Sequence, residues 1–301
     1  MLHLQPESAD LARYRALVIS RLPHLAGAQF VTLAEGWDSV ALEYDGLIFK
    51  FPRNSDAAER LRREVALLNF LRPRITMPLP QPVLYDGEEP FSQHRAIPGE
   101  KLLADDYLML GEGSRNALAM RMAQLYAELH QLPLARMQQV GAVAVEPWLS
   151  PDEILEHGVP KLPRGYKGWA RRVVSAYRKL RIEGDELVFG YFDGHGWNMA
   201  FDFTTATLNG VYDFGDAGFG SRHRDLSYSN WISADLTLRI IDRYEELTGY
   251  RVNREQVMLY TSALRLAELA AGVLSDEQAI ANAVHWADEL KRLGRPQHSA
   301  A

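Results

Sequence analysis

The spacing of apolar residues changes twice along the chain. Over 8–22, Leu11, Tyr14, Leu17, Val18 and Leu22 recur every three or four positions, which predicts a helix ended by Pro23. The period then drops to two. Phe30–Leu33, Val40–Tyr44 and Leu47–Phe51 predict three short strands, with Asp45-Gly46 as a hairpin turn between the last two. Helical spacing returns over 55–72, where Leu61, Val65, Leu68 and Leu71 share a face. Pro78, Pro80 and Pro82 break the chain before two further strands near 83–85 and 92–96.

Beyond Pro98-Gly99 the pattern is mostly helical. Leu118, Met122, Leu125, Leu129 and Leu132 form an apolar stripe over 115–132. The stretch 187–215 reverts to strand-like character around two loops. Three more helices are expected after it. Asp235 and Gly249 bracket the first; Asn253 with Gln256 and Ser275 with Gln278 have the form of capping boxes for the others; Gly294 and Pro296 stop the last. The expected fold class is α+β. A small antiparallel-sheet lobe with one internal helix occupies 1–98, and a larger helical lobe occupies 99–301. The hinge falls near 93–98, with a ligand cleft between the lobes.

Composition removes several functions. The chain has 301 residues, 47% of them hydrophobic and 24% charged, so it can bury a sizeable core. Its net charge of -6 argues against a broad basic surface for nucleic acid. Cysteine is absent, which excludes disulfides, a thiol nucleophile and thiolate metal sites. The nine histidines are scattered without the spacing of a zinc helix. No apolar run approaches the ~18 residues of a membrane span. The first residues lack a basic start followed by an apolar stretch. A cytoplasmic protein is the expectation, monomer or homodimer, with neither nucleic acid nor membrane as partner.

Two short motifs carry chemistry. Phosphoryl transfer asks little covalent work of a protein. It needs an acceptor hydroxyl held in line, hard oxygen ligands for magnesium, and cations on the phosphates. The segment Tyr191-Phe192-Asp193-Gly194-His195-Gly196-Trp197-Asn198 contains Asp-x-x-x-x-Asn, the spacing of a kinase catalytic loop. Fifteen residues beyond Asn198, Asp213-Phe214-Gly215 supplies the second motif. Apolar residues precede both: Leu187, Val188 and Phe189 for the first, Val211 and Tyr212 for the second. Each motif alone is weak. The ordered pair points to Asp193 as the catalytic carboxylate and to Asn198 and Asp213 as metal ligands.

With these motifs the chain resembles the aminoglycoside phosphotransferase family of protein-kinase-like fold. The likeness extends over Gly36-Trp37-Asp38-Ser39, Phe49-Lys50-Phe51-Pro52-Arg53, Arg63-Glu64-Val65-Ala66-Leu67-Leu68, Ile97-Pro98-Gly99-Glu100, Glu128-Leu129-His130, the run 213–220 and Arg224-Asp225-Leu226. The resemblance implies an O-phosphotransferase that moves the γ-phosphate of ATP or GTP, with Mg2+, to a hydroxyl of a small molecule such as an aminoglycoside or macrolide. Lys50 would contact the α- and β-phosphates and Glu64 would hold Lys50 by an ion pair. Gly36 would form the nucleotide loop, Ser39 would touch a phosphate, and Asp225 would brace the catalytic loop. The departure is Tyr191-Phe192, where the family has His-Gly; a positive φ at Phe192 would be strained. A choline, homoserine or sugar kinase of the same fold is one alternative, and a nucleotide-binding pseudokinase is another.

Several residues carry competing readings. Lys50 could be an exposed strand lysine, and Glu59 competes with Glu64 on the same helix. Gly36 could be a plain hairpin glycine, Ser39 and Asp216 turn-formers, and His195 a structural loop histidine. His130 reads as a satisfied core histidine. Trp148, Trp169 and Trp197 could line an acceptor pocket or be buried. Glu153 and Glu156 could attract an amine, and Arg222-His223-Arg224 an anion.

Overall fold

A computed structural model describes residues 9–35, 39–182 and 184–293. Helix α1 (Ala9–Arg21) leads into strands β1 (Val31–Glu35), β2 (Ser39–Tyr44) and β3 (Leu47–Pro52). Asp45 and Gly46 both take positive φ, 49° and 71°, as a tight hairpin requires. Helix α2 (Ser55–Leu71) starts on Asn54, whose side chain accepts from the Ala57 N–H. Strands β4 (Val83–Tyr85) and β5 (Phe91–Arg95) complete an antiparallel sheet of order β1-β2-β3-β5-β4. Phe49, Phe51 and Phe91 on its inner face are buried against Tyr14 and Val18 of α1.

The helical part follows with α3 (Ala104–Met109), α4 (Glu112–His130), α5 (Leu134–Val140), α6 (Pro151–Glu153) and α7 (Arg164–Tyr177). Strands β6 (Leu187–Gly190), β7 (Met199–Asp202), β8 (Thr207–Val211) and β9 (Gly218–Ser221) pair as β6-β9 and β7-β8. Helices α8 (Arg222–Leu226), α9 (Ala234–Thr248), α10 (Arg254–Ala271) and α11 (Asp276–Leu293) close the described chain. The main core joins α4 to α9 through Leu118, Met122, Leu125, Leu236, Ile240 and Tyr244. None of the described helices is long and apolar enough to cross a membrane. This is the expected α+β class: a five-stranded sheet followed by a helical part.

Local details differ from the pattern. Ser233, not Asp235, caps α9; the Asp235 carboxylate instead binds Tyr107 and Arg239. Asn253 and Ser275 do cap their helices, accepting from the backbones of Gln256 and Gln278. The Gln256 and Gln278 side chains donate to Glu186 and Asn282, in place of the return bond of a capping box. Gly294 and Pro296 lie outside the described residues.

Candidate active site

Register places the first group. Lys50 sits in β3 between Ala41 of β2 and Ser92 of β5, so its side chain leaves the sheet on the cleft side, opposite buried Phe49 and Phe51. One turn along α2 from buried Leu61 and Leu68, Glu64 is also buried and meets it: Lys50 Nζ lies 2.9 Å from Glu64 Oε2. The same nitrogen is 3.0 Å from Asp213 Oδ1, a residue 163 positions away. The other oxygen of Glu64 accepts from the Phe214 N–H at 3.0 Å, so one helix residue ties both Lys50 and the second motif. Burial opposes the charge on Lys50, but Glu64 and Asp213 outweigh it and hold the ammonium above its ordinary value. Burial also raises the Asp213 carboxyl, and Lys50 reverses this, keeping it below the usual carboxylate range. Glu59 pairs with Arg62 on the exposed face and takes no part.

The catalytic-loop motif is built on Asp225, which is fully buried in α8. Its oxygens accept from the N–H of Tyr191 at 2.9 Å and of Phe192 at 2.5 Å, and His130 Nε2 lies 2.9 Å away. His130 also contacts the Tyr244 hydroxyl, making it the satisfied core histidine that its position suggested. Phe192 does adopt positive φ, 58°. Its ring is buried, and it fits because strand residues Gly190 and Gly220 lack side chains. A Cβ on either would stand 2.8 Å and 2.6 Å from that ring. The loop then turns so that Asn198 Nδ2 bonds Asp193 Oδ2 at 2.5 Å and His195 Nε2 lies 3.0 Å from Asp193 Oδ1. The backbone of Gly196 presses against Leu102, leaving no room for a Cβ there. Asn198 O accepts from the Tyr212 N–H at 2.8 Å, which joins the two motif loops.

A cleft of about 600 Å³ contains Ser39, Lys50, Glu64, Asn198 and Asp213 among its walls, with His94, Ile97 and Tyr212 further along. Asp193 stands beside Asn198. Asp216 lines an adjoining hollow with Lys50; burial, then Asp193 and Asp213, push its carboxyl up to about 6. Gly36 lies outside the described residues. Trp197 is 61% exposed, lines the cleft and receives Lys101 Nζ at 3.8 Å from its ring, so burial does not explain it. Spacing inside the motif was the only signal for it.

Other candidates separate from this group. Trp148, Glu153 and Arg224 line a larger cavity of about 1070 Å³ whose walls include none of Lys50, Asp193, Asn198 and Asp213. Ser150 caps α6 there, with the Glu153 carboxylate accepting from the Ser150 N–H, and Trp169 packs on a second core. Arg222 stacks on Tyr250, His223 Nε2 accepts from the Asn253 N–H, and Arg224 covers Trp148.

Comparison with known proteins agrees with this architecture. No curated protein sequence matches the chain. Among solved structures, the GDP complex of wild-type aminoglycoside 2'-phosphotransferase-IIIa superposes with a TM-score of 0.78 at 21% identity, covering 97% of this chain and 100% of that one. The streptomycin–ATP ternary complex of APH(2")-IIa gives 0.62 at 16% identity, with 95% and 97% covered. The apoenzyme of macrolide 2'-phosphotransferase MphH from Brachybacterium faecium gives 0.61 at 18% identity, with 89% and 97% covered. At these identities the likeness establishes the fold. The sequence profile of the phosphotransferase enzyme family matches residues 29–260, most of the chain. The chain belongs to the phosphotransferase enzyme family.

Proposed function

We propose that this chain transfers the γ-phosphate of ATP or GTP to a hydroxyl of a small molecule, with Asp193 as the catalytic carboxylate. One observation carries the reading: Lys50, Glu64 and Asp213 converge in one cleft, and Asn198, which also lines it, is bonded to Asp193.

The chemistry follows from the donors. Asp193 accepts the hydrogen bond of the incoming hydroxyl. The hydroxyl oxygen attacks the γ-phosphorus, the bond to the β-phosphate oxygen breaks, and the hydroxyl proton passes to the Asp193 carboxylate. His195 and Asn198 each hold one oxygen of Asp193 and leave lone pairs for the substrate. Lys50, kept charged by its two carboxylates, contacts the α- and β-phosphates. Ser39, which lines the cleft with Lys50, belongs to the phosphate side.

The donor set suits magnesium. Asn198 spends its Nδ2 on Asp193, which leaves the amide oxygen as an acceptor, and Asp213 adds a carboxylate. Two hard oxygen ligands fit an ion that completes its shell with phosphates and water. Bound magnesium would neutralise charge on the transferring phosphate.

The pseudokinase alternative rests on Tyr191-Phe192, directly before Asp193. The Phe192 ring is buried between Gly190 and Gly220 and the Asp193 carboxylate keeps its bonds to His195 and Asn198, which favours the active enzyme. Thermal melts with Mg-ATP and Mg-GTP, followed by phosphate-transfer assays over aminoglycosides, macrolides, amino alcohols and sugars, test the reading. Nucleotide should raise Tm. Asp193→Ala should keep that shift and lose turnover by about 100-fold or more. No Tm shift with either nucleotide, or full turnover in the variant, removes the assignment.

A further inference from the structure

Tyr212, the residue before Asp213, reaches across the cleft to the segment after β5. Its hydroxyl accepts from the Ile97 N–H at 2.6 Å and lies 2.6 Å from the Ile97 carbonyl oxygen, to which it donates. Ala96, Ile97 and Tyr212 are all walls of the 600 Å³ cleft that also holds Lys50 and Asp213. A backbone N–H and C=O side by side on a cleft wall are the groups that pair with the polar edge of a purine. Here one side chain of the protein satisfies both.

One polar group on the same wall is left over. His94 Nε2 is buried and has no hydrogen-bond partner among the described residues. The His94 ring lies 6.2 Å from that of Tyr212. Burial, then the charge of Lys50, push its imidazole down to about 4, so it is neutral at physiological pH. A neutral imidazole offers a donor in one tautomer and an acceptor in the other. It can therefore meet a 6-oxo or a 6-amino purine, whereas a backbone amide can only donate.

Building on the nucleotide-site reading above, we propose that Tyr212 stands in for the nucleobase at Ile97. The cleft then holds its nucleoside triphosphate chiefly through the phosphates and distinguishes adenine from guanine weakly, with His94 contacting the six-position of either base. Tyr212 and His94 are thus the residues that keep base recognition weak and indifferent to the six-position. Polar sites that reject a wrong partner do so by leaving buried groups unpaired. At Ile97 the wrong base leaves nothing unpaired, because Tyr212 has already paired both groups.

The test is titration calorimetry of the full chain with Mg-ATP, Mg-GTP and Mg-tripolyphosphate, which has no base. In the wild type, Kd for ATP and GTP should agree within about 3-fold, less than one net hydrogen bond is worth. Tyr212→Phe frees the Ile97 amide and should tighten both nucleotides by about 5-fold, with tripolyphosphate unchanged. His94→Leu should weaken ATP and GTP by about 5-fold each without altering their ratio. A wild-type preference beyond about 20-fold overturns the proposal, since that needs more than one net hydrogen bond of discrimination. So does Tyr212→Phe leaving purine affinity unchanged or weaker, or shifting tripolyphosphate equally. In those cases wild-type binding still stands and only the role of Tyr212 falls. Wild-type protein that binds none of the three ligands overturns the nucleotide site itself, and this inference with it.

Discussion

The Asp225 carboxylate holds the Phe192 backbone in the left-handed region: the Phe192 N–H donates to Asp225 Oδ1 at 2.5 Å, and φ there is 58°. A phenylalanine pays strain in that conformation that a glycine does not. Its ring repays the strain by filling the space over Gly190 and Gly220. The two effects differ in size. Strain at one such residue costs about 1–3 kcal/mol, whereas emptying a buried phenylalanine site costs about 3–5 kcal/mol. Phe192→Gly, which restores the family's residue, should therefore destabilise the protein by roughly 1–3 kcal/mol in urea unfolding. A stabilised variant would show that strain dominates.

Asp225 also bonds the Tyr191 N–H and His130, all out of water. Asp225→Asn removes the charge and turns an N–H donor toward donors that it must accept. The expected loss is about 3 kcal/mol of stability. Turnover should fall far more than the nucleotide KM rises, because the loop that carries Asp193 loses its anchor. Steady-state kinetics on folded variant checks this; an unchanged kcat would confine Asp225 to stability.

Lys50 is the cation between Glu64 and Asp213. Lys50→Met should reduce turnover by about 100-fold or more while leaving the acceptor KM near its wild-type value. Lys50→Arg should not rescue it, since the guanidinium fork does not fit a point-charge site on the phosphates. Initial rates with each nucleotide decide the matter. Wild-type rates in either variant would make Lys50 a purely structural lysine.

His94 makes stability depend on pH. Its folded value is about 4, against an ordinary 6.5, because burial and Lys50 disfavour the charged ring. Between those values the unfolded chain binds the proton and the folded chain does not. Stability is therefore full above about pH 6.5 and is lost as pH falls toward 4. At pH 4.5 the loss due to this residue is about 2–3 kcal/mol. Urea unfolding at pH 7 and 4.5 should show a drop smaller by that amount in His94→Asn. Equal drops in both proteins would place the acid sensitivity elsewhere.

Much of the architecture was legible in residue order. The hairpin at Asp45-Gly46, the face of α2 and the stripe of α4 depend on neighbours three or four positions apart, and each formed where its spacing predicted. Outside the stripe at 115–132, the sequence of 100–185 is read only as helical, with no element bounds. Proline and glycine interrupt the apolar pattern around α3, α5 and α6, whereas α7 carries a clean helical period in Tyr166, Trp169, Ala170, Val173, Val174 and Tyr177 that the reading passed over. The capping residues were visible, but the partners of the Gln256 and Gln278 side chains were not, because Glu186 competes from a distant loop and Asn282 from one turn ahead.

By itself the sequence determined the α+β class, the order of the motifs and the residue types that phosphoryl transfer needs, since these follow from local period and from side-chain chemistry. Only the tertiary structure decided which distant groups meet. Burial of α2 against the sheet aims Glu64 at both Lys50 and Phe214. Gly190 and Gly220 make room for Phe192 beside Asp193. The pairing of Tyr212 with Ile97, 115 residues apart, leaves no periodic trace. Buried polar groups must find partners wherever the packed chain brings them, and that requirement acts through space and not along the sequence.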